Sequence, residues 1–266
     1  MQAFDPQKYG NTESDVVYCT TENTDLKMDL YYPDQGGPWP VLIFVHGGGW
    51  SEGDKVGVIT TPTQAGYLVT SINYRLYPEV QFPAMIEDVK CAIRFLRANA
   101  DQYNIDPERI AMIGHSAGAH LAALAGLADE SNEWDVGQYL EQSSRVQAVI
   151  AISGPYDLRR NFGSEVDALI QNVFGTQQLV SASPVTHASP GDPPVLIIHG
   201  DSDPVVPVEQ ATLLQEALSA AQIPVELIII QNSGHGLEPV NGPMIPSVEE
   251  IFTRVILFLN ENLQKP

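Results

Sequence analysis

Short apolar runs alternate with helical patterns along most of the chain. Six runs are made almost entirely of apolar residues, at positions 41–45, 67–72, 110–114, 148–153, 195–199 and 226–230. Continuous apolarity, rather than strict alternation, is typical of parallel strands that are covered on both faces. We therefore predict that these runs are the buried strands of one parallel sheet.

Helical patterns separate several of these runs. Residues 84–100 place apolar side chains at the spacing of one helix face, directly after Pro83, which suits a first helical turn. Residues 208–221 and 248–263 are two further helix candidates. The resulting β-α-β-α order predicts an α/β fold, with a mostly parallel central sheet and helices on both faces.

Two regions depart from this alternation. Residues 15–19 and 26–33 alternate polar and apolar side chains, which is typical of half-exposed antiparallel edge strands. Residues 155–194 are rich in Gly, Pro, Ser and Asn, with one short helical pattern around 166–173. We interpret this stretch as a small cap insertion over the sheet, so that 1–266 forms a single domain.

The charge balance excludes two classes of partner. Thirteen Lys and Arg residues oppose thirty-three Asp and Glu residues, which gives a net charge of −20. Such a surface repels nucleic acids and anionic membranes. No apolar run approaches the roughly 20 residues of a membrane helix, and the N-terminus lacks the pattern of a signal segment. We expect a cytoplasmic protein, or a secreted one if a signal segment has been removed.

The chain contains two cysteines, Cys19 and Cys91, and neither has a spacing typical of metal or redox sites. Cys91 lies inside an amphipathic helical pattern, where a thiol usually acts as a small apolar core residue. The sequence does not indicate a disulfide between the two.

One serine is surrounded by residues with almost no side chain. Ser116 lies between Gly114 and Gly118, after a predicted strand and before the helical run at 119–128. This is the G-x-S-x-G pattern in its strand-turn-helix context, where a sharp turn exposes the serine oxygen above the sheet. The helix that follows directs its N-terminal amides to the same place, so Ala117 N–H is a candidate oxyanion donor.

A second glycine-rich segment, "HGGGW", follows the strand at 41–45. Three consecutive glycines cost conformational entropy, which close approach of the backbone to a ligand would explain. We expect the N–H groups of Gly48 and Gly49 to face a developing oxyanion. His46 is expected to anchor the loop, and Trp50 to form the pocket wall or pack behind it.

A serine nucleophile needs a base and an acid that orients the base. The strand at 195–199 is followed by "GDSDPVVP", and the strand at 226–230 by "QNSGHG". Loops at the carboxyl ends of such strands carry catalytic residues, so we assign Ser116, Asp203 and His235, in the order Ser…Asp…His. Asp201 is the rival acid, and Glu209 is a weaker one because it lies within the next helix.

The remaining histidines have weaker claims to a chemical role. His115 adjoins the serine and is a tentative pocket residue, while His120 lies on the following helix. His187 and His199 have no supporting sequence context, so ordinary polar or packing roles are favoured for both. No histidine pair has the spacing of a zinc motif, and we expect no metal site.

Together these motifs resemble those of the α/β-hydrolase superfamily. They include "HGGGW", "GHSAGAHLAAL", "PPVLIIHGDSDPVVP" and "GHG", in this order. They are most similar to the HGGG-bearing esterases related to hormone-sensitive lipase and to bacterial feruloyl and acetylxylan esterases. The resemblance implies the same triad and an oxyanion hole formed by the amides of Gly48, Gly49 and Ala117. Ala119 departs from the pattern, since relatives usually carry a second glycine there.

The resemblance implies a serine carboxylesterase that acts on short-chain acyl or aryl esters, feruloyl and acetyl-xylan esters among them, through an acyl-enzyme and without a cofactor. An arylformamidase or a small peptidase would use the same triad. A hydrolase-like receptor that only binds a small ligand ranks lower, because all three triad positions are intact. The sequence leaves open the acyl length, the alcohol preference and whether the protein forms a homodimer.

Overall fold

The computed structural model describes residues 4–129 and 133–263 and contains one eight-stranded sheet. The strand order is β1-β2-β4-β3-β5-β6-β7-β8. The strands are β1 (Thr12–Thr20), β2 (Asp25–Tyr31), β3 (Trp39–Val45), β4 (Leu68–Ile72), β5 (Ile105–His115), β6 (Ala148–Ile152), β7 (Val195–Gly200) and β8 (Val225–Ile230). Strands β3 to β8 are parallel, so all six apolar runs form strands as predicted.

Helices cover both faces of this sheet. They are α1 (Ala84–Ala98), α2 (Ala100–Tyr103), α3 (Ala117–Leu127), α4 (Ser164–Phe174), α5 (Glu209–Ala220) and α6 (Val248–Leu263). On β3, Val41 and Ile43 share one core with buried residues of α1, α3 and α5, whereas Leu42 shares a second core with α6. Successive residues of a strand point to opposite faces, which explains why buried parallel strands need continuous apolar sequence. The predicted α/β architecture is confirmed.

The N-terminal strands are antiparallel, as predicted, but only one of them lies at an edge. β1 is the edge strand and pairs with β2, while β2 also pairs with β4 on its other side. The alternation of polar and apolar residues in 26–33 predicted the strand but not its neighbours. The strand is also less exposed than predicted, because Asp29 on its polar face is buried in an ion pair with Lys55 at 2.9 Å, and Lys27 and Tyr31 are partly buried.

The cysteines differ from the sequence-based expectation. Cys19 on β1 and Cys91 on α1 form a disulfide across a sequence separation of 72 residues, and both are buried. Cys91 is therefore not a free thiol in the core. The spacing of the cysteines could not predict this pair, because the pairing depends on α1 packing against the sheet beside β1.

The segment between β6 and β7 contains α4 and a short 3₁₀ helix at Pro184–Thr186. The helical pattern at 166–173 thus corresponds to α4, with the helix slightly longer than expected. The reading of 155–194 as an insertion within a single domain stays a prediction. Within the described part of the chain, no helix combines the length and the apolarity needed to span a bilayer.

Removing the disulfide should lower stability. Closing a loop of this length restricts the unfolded chain, and the chain-entropy relation gives about 4 kcal/mol as the scale of the effect. We expect the double variant Cys19→Ser/Cys91→Ser to unfold at lower denaturant concentration, and dithiothreitol to shift the unmodified protein to the same midpoint. Denaturant midpoints that coincide for the two proteins under oxidising conditions would contradict this.

Candidate active site

The serine of the G-x-S-x-G pattern lies at the junction between β5 and α3. Ser116 has φ 55° and ψ −121°, a backbone conformation that residues with a side chain rarely adopt. A Cβ placed on Gly118 would collide with the carbonyl oxygen of Val45, and one on Gly114 would collide with that of Gly118. The glycines on either side of Ser116 are therefore required by backbone-to-backbone contact.

The "HGGGW" segment leaves β3 and passes beside this junction. A Cβ placed on Gly47 would lie 2.9 Å from the carbonyl oxygen of His115. Gly48 and Gly49 have φ values of 107° and 56°, a region that favours glycine. Among the hydrogen bonds within residues 4–129 and 133–263, none has the N–H group of Gly48, Gly49 or Ala117 as its donor. All three residues line one cavity with Ser116, so their amides are available to a bound oxygen.

Folding brings the three proposed triad side chains into one hydrogen-bonded row. The Ser116 hydroxyl oxygen lies 3.0 Å from His235 Nε2, and His235 Nδ1 lies 2.7 Å from Asp203 Oδ2. Since the carboxylate accepts from Nδ1–H, the lone pair of Nε2 faces the Ser116 hydroxyl and can accept its hydrogen. This is the geometry in which a histidine activates a serine nucleophile.

The rival acids lie outside the row. Asp201 is exposed and accepts a hydrogen bond from the neighbouring Ser202 hydroxyl at 2.9 Å. Glu209 is exposed at the first turn of α5. Of the three candidates, the structure brings only Asp203 against His235, and the Asp203 side chain is completely buried.

Four N–H groups surround the Asp203 carboxylate. Its Oδ1 accepts from the backbone N–H groups of Val205 and Val206, at 2.8 and 2.9 Å. Its Oδ2 lies near His235 and also 3.2 Å from His199 Nε2. Burial raises the pKa of this carboxyl, but hydrogen bonds from the two histidines and the two amides outweigh burial and hold the pKa well below its usual range. Asp203 is therefore ionised at neutral pH.

Two further histidines fix the loops around the row. His115 lines the cavity, and its Nε2 donates to the carbonyl oxygen of His235 at 2.8 Å, which ties the loop after β8 to the end of β5. His46 donates from Nδ1 to the carbonyl oxygen of Gly47 at 2.7 Å, and its ring stacks on that of Tyr74 with centroids 4.3 Å apart. The anchoring role expected for His46 agrees with these contacts.

Trp50 both lines the cavity and packs behind it. Its Nε1–H donates to Nδ1 of the fully buried His120 at 3.2 Å, and its ring contacts Phe174 of α4 edge-on. On its other side, His120 Nε2 donates to the carbonyl oxygen of Ala182 at 2.7 Å. One buried, neutral histidine thus joins the "HGGGW" loop to the segment between β6 and β7.

Sequence reasoning missed one contact of the site. His199, near the end of β7, was expected to have an ordinary polar or packing role, yet it lies against the triad carboxylate. The strand pattern gave no signal of this, because its apolar neighbours predict only burial. His187 behaves as expected and donates to the carbonyl oxygen of Ser181 at 2.6 Å.

The cavity above Ser116 has a volume of about 320 Å³. Val166 and Leu169 of α4 form one wall, and Val205 forms part of another. A Cβ placed on Gly49 would lie 2.8 Å from Leu169 Cδ2, so α4 packs directly against the "HGGGW" segment. The segment between β6 and β7 therefore limits the space beside the serine.

Comparison with known proteins finds similarity to several esterases. The model of the BD-FAE family matches residues 28–218. Esterase LipC of Mycobacterium tuberculosis is 36% identical over 240 residues, which cover 84% of this chain and 59% of that protein. The chain spans 59%, 44% and 59% of the length of three curated relatives that it matches.

Two solved structures resemble the whole chain. A structure described as a truncated form of carbohydrate esterase from gut microbiota has a TM-score of 0.84 and 29% identity, covering 99% of this chain and 100% of that one. Thermogutta terrifontis esterase 2 phosphonylated by sarin has a TM-score of 0.81 and 25% identity, covering 94% and 93%.

Burial of His120 should make stability depend on pH. Burial lowers the pKa of His120 from its ordinary value of 6.5 to about 4. Between pH 6.5 and pH 4, His120 is protonated in the unfolded chain but stays neutral in the folded protein. The free energy of unfolding therefore falls as the pH drops from 6.5 to 4, by roughly 3 kcal/mol in total.

The variant His120→Asn still offers an acceptor to the indole N–H of Trp50. It should lose the part of the pH dependence of the unfolding free energy that His120 causes. The measurement is the free energy of unfolding by denaturant at several pH values. The difference between the two proteins cancels the contribution of every other titrating group. Parallel pH profiles would contradict the assignment.

Proposed function

We propose that this chain, which belongs to the BD-FAE family and has the α/β-hydrolase fold, is a serine carboxylesterase. One observation carries the proposal: Ser116, His235 and Asp203 form a hydrogen-bonded row that opens into a cavity lined by unpaired amides. The relatives named above are all described as esterases, which supports an ester rather than an amide as the substrate.

The proposed reaction begins with a proton transfer. His235 Nε2 takes the hydroxyl proton of Ser116 as the serine oxygen bonds to the ester carbonyl carbon. The carbonyl electron pair moves to oxygen, and the resulting oxyanion accepts hydrogen bonds from the amides of Gly48, Gly49 and Ala117. Each such donor contributes about 3 to 4 kcal/mol to lowering the barrier. Asp203, held ionised by the four N–H groups around it, stabilises the imidazolium form of His235.

The intermediate then collapses. The bond to the alcohol oxygen breaks, and the alcohol leaves with the proton that His235 holds. A water molecule, deprotonated by the same nitrogen, attacks the acyl-enzyme and releases the carboxylic acid with Ser116 restored. No step in this sequence requires a redox change or a cofactor.

The proposed substrates have a short acyl group. A cavity of about 320 Å³ lies near the lower end of the range for small-molecule sites. Its walls near Ser116 include the apolar side chains of Val166, Leu169 and Val205, which suit a short hydrocarbon chain. Likeness to a carbohydrate esterase supports acetylated sugars as one class of substrate, and aryl esters of short acids form another. Feruloyl esters, which carry a larger aromatic acyl group, are the alternative that the acyl-length profile separates from these.

The disulfide bears on where this activity would be used. Cys19 and Cys91 are paired in the structure, and disulfides persist mainly in oxidising compartments. Of the two localisations considered from the sequence, the contact supports the secreted one. A chain that lacks this bond when isolated from its native source, with both thiols reactive, would argue for the cytoplasm.

Replacement of the nucleophile tests the reaction. Ser116→Ala removes the attacking oxygen without adding volume, so we expect kcat/KM for p-nitrophenyl acetate to fall by at least about 10³-fold. Circular dichroism and thermal unfolding should show an unchanged fold. Hydrolysis by the folded variant within tenfold of the original rate would overturn the proposal.

Acyl length tests the cavity wall. We expect rates on p-nitrophenyl esters to peak at acetyl to butanoyl and to fall steeply beyond hexanoyl, with methyl ferulate and acetylated xylan measured alongside. Leu169→Ala removes side-chain volume above Gly49 and should raise the octanoyl-to-acetyl rate ratio several-fold.

The matched control is Gln171→Ala, an exposed position on the same helix outside the cavity wall, which should leave the profile unchanged. If Leu169→Ala and Gln171→Ala give the same profile, α4 does not set acyl length.

A further inference from the structure

His199 lies on the far side of the triad acid from His235. It precedes the last residue of β7, and its side chain is completely buried. Its Nε2 lies 3.0 Å from the carbonyl oxygen of Val206 and 3.2 Å from Asp203 Oδ2. Both neighbours are acceptors, so Nε2 carries a hydrogen. It donates this hydrogen to the Val206 carbonyl oxygen, and the same N–H group lies against Asp203 Oδ2.

The other nitrogen of this ring is unsatisfied. Nδ1 of His199 is buried and has no hydrogen-bond partner in the described residues. A buried polar atom without a partner destabilises the folded state. If the position required only volume, an apolar side chain would fill it without that cost. The contact made by Nε2 is therefore the feature that distinguishes histidine at this site.

The contacts of His199 close a ring of hydrogen bonds around the acid. Val206 donates its N–H to Asp203 Oδ1 at 2.9 Å and accepts at its carbonyl oxygen from His199. Val205 supplies the second hydrogen bond to Oδ1 at 2.8 Å. With Oδ1 held by these amides, the rotation of the carboxylate is set by what Oδ2 meets on its two sides, which are His199 and His235.

We propose that His199 is a positioning residue of the hydrolytic site, whose Nε2–H holds the Asp203 carboxylate in the orientation that directs Oδ2 at His235. The proposal rests on the triad assigned under Proposed function. His199 touches neither the substrate nor the reacting atoms. It acts through Asp203, by keeping the buried carboxylate from turning and by sharing the negative charge of Oδ2.

Two substitutions separate the hydrogen bond from the volume. His199→Phe keeps a planar ring and removes the donor. His199→Gln places an amide nitrogen the same number of bonds from Cβ as Nε2, so it restores the donor. We expect His199→Phe to lower kcat for p-nitrophenyl acetate roughly 10- to 100-fold, the effect of losing a hydrogen bond to a charged group, with KM within about twofold. His199→Gln should recover most of kcat.

A double-mutant cycle tests whether the effect passes through the acid. Asp203→Asn alone should reduce kcat on the order of 10⁴-fold, as loss of a triad acid does. In that background, His199→Phe should have no further effect, because the carboxylate that it orients is gone. Thermal unfolding of each variant identifies any that fails to fold. If His199→Phe does not fold, kcat of the folded His199→Gln protein is compared with that of the unmodified protein, alone and in the Asp203→Asn background.

The matched control is His187→Phe. His187 also donates from Nε2 to a backbone carbonyl oxygen, that of Ser181, but has no contact with Asp203, so kcat should stay within about twofold. If His199→Phe leaves kcat unchanged, or lowers it equally in the Asp203→Asn background, the positioning role is wrong while the triad stands. If Asp203→Asn itself leaves kcat unchanged, the triad assignment fails instead.

Discussion

The conformation of Ser116 is the constraint on which the rest of the site depends. Its positive φ is held where a strand turns into a helix, and the turn closes only because Gly114 and Gly118 allow backbone atoms into contact. That turn raises the hydroxyl above the sheet and directs the first amide of α3 toward it. The parallel order of β3, β5, β7 and β8 then brings the other loops to the same end of the sheet.

Much of this arrangement follows from local pattern. Buried parallel strands require continuous apolar runs, and the helices between them require apolar residues at helical spacing, so the six strands and their order of appearance were predictable. The inner position of β2 was not, because alternation of polar and apolar residues does not indicate the number of neighbouring strands, and the ion pair that buries Asp29 involves Lys55 from a distant loop. The Cys19–Cys91 disulfide also escaped prediction, since it joins residues that approach only after α1 packs beside β1.

The sequence likewise predicted some parts of the candidate site and not others. Ser116, Asp203 and His235 follow strands, and loops at the carboxyl ends of parallel strands converge, so the sequence predicted that these three loops meet. The choice between Asp203 and Asp201 depends on which carboxylate turns inward, and only the structure shows Asp203 against His235. The contact between His199 and Asp203 depends on side-chain direction at the end of a buried strand, which no spacing rule encodes. The buried hydrogen bond between Trp50 and His120 likewise depends on side-chain direction, which the sequence pattern does not predict.

The proposed function requires that Ser116 be the activated nucleophile of this cavity. Its most direct test is to treat the protein with a fluorophosphonate, digest it and locate the adduct by mass spectrometry. We predict a single stoichiometric adduct on Ser116 and none on the folded Ser116→Ala variant. An adduct on another residue of the cavity, such as Ser51, or no adduct on the folded protein, would contradict the account.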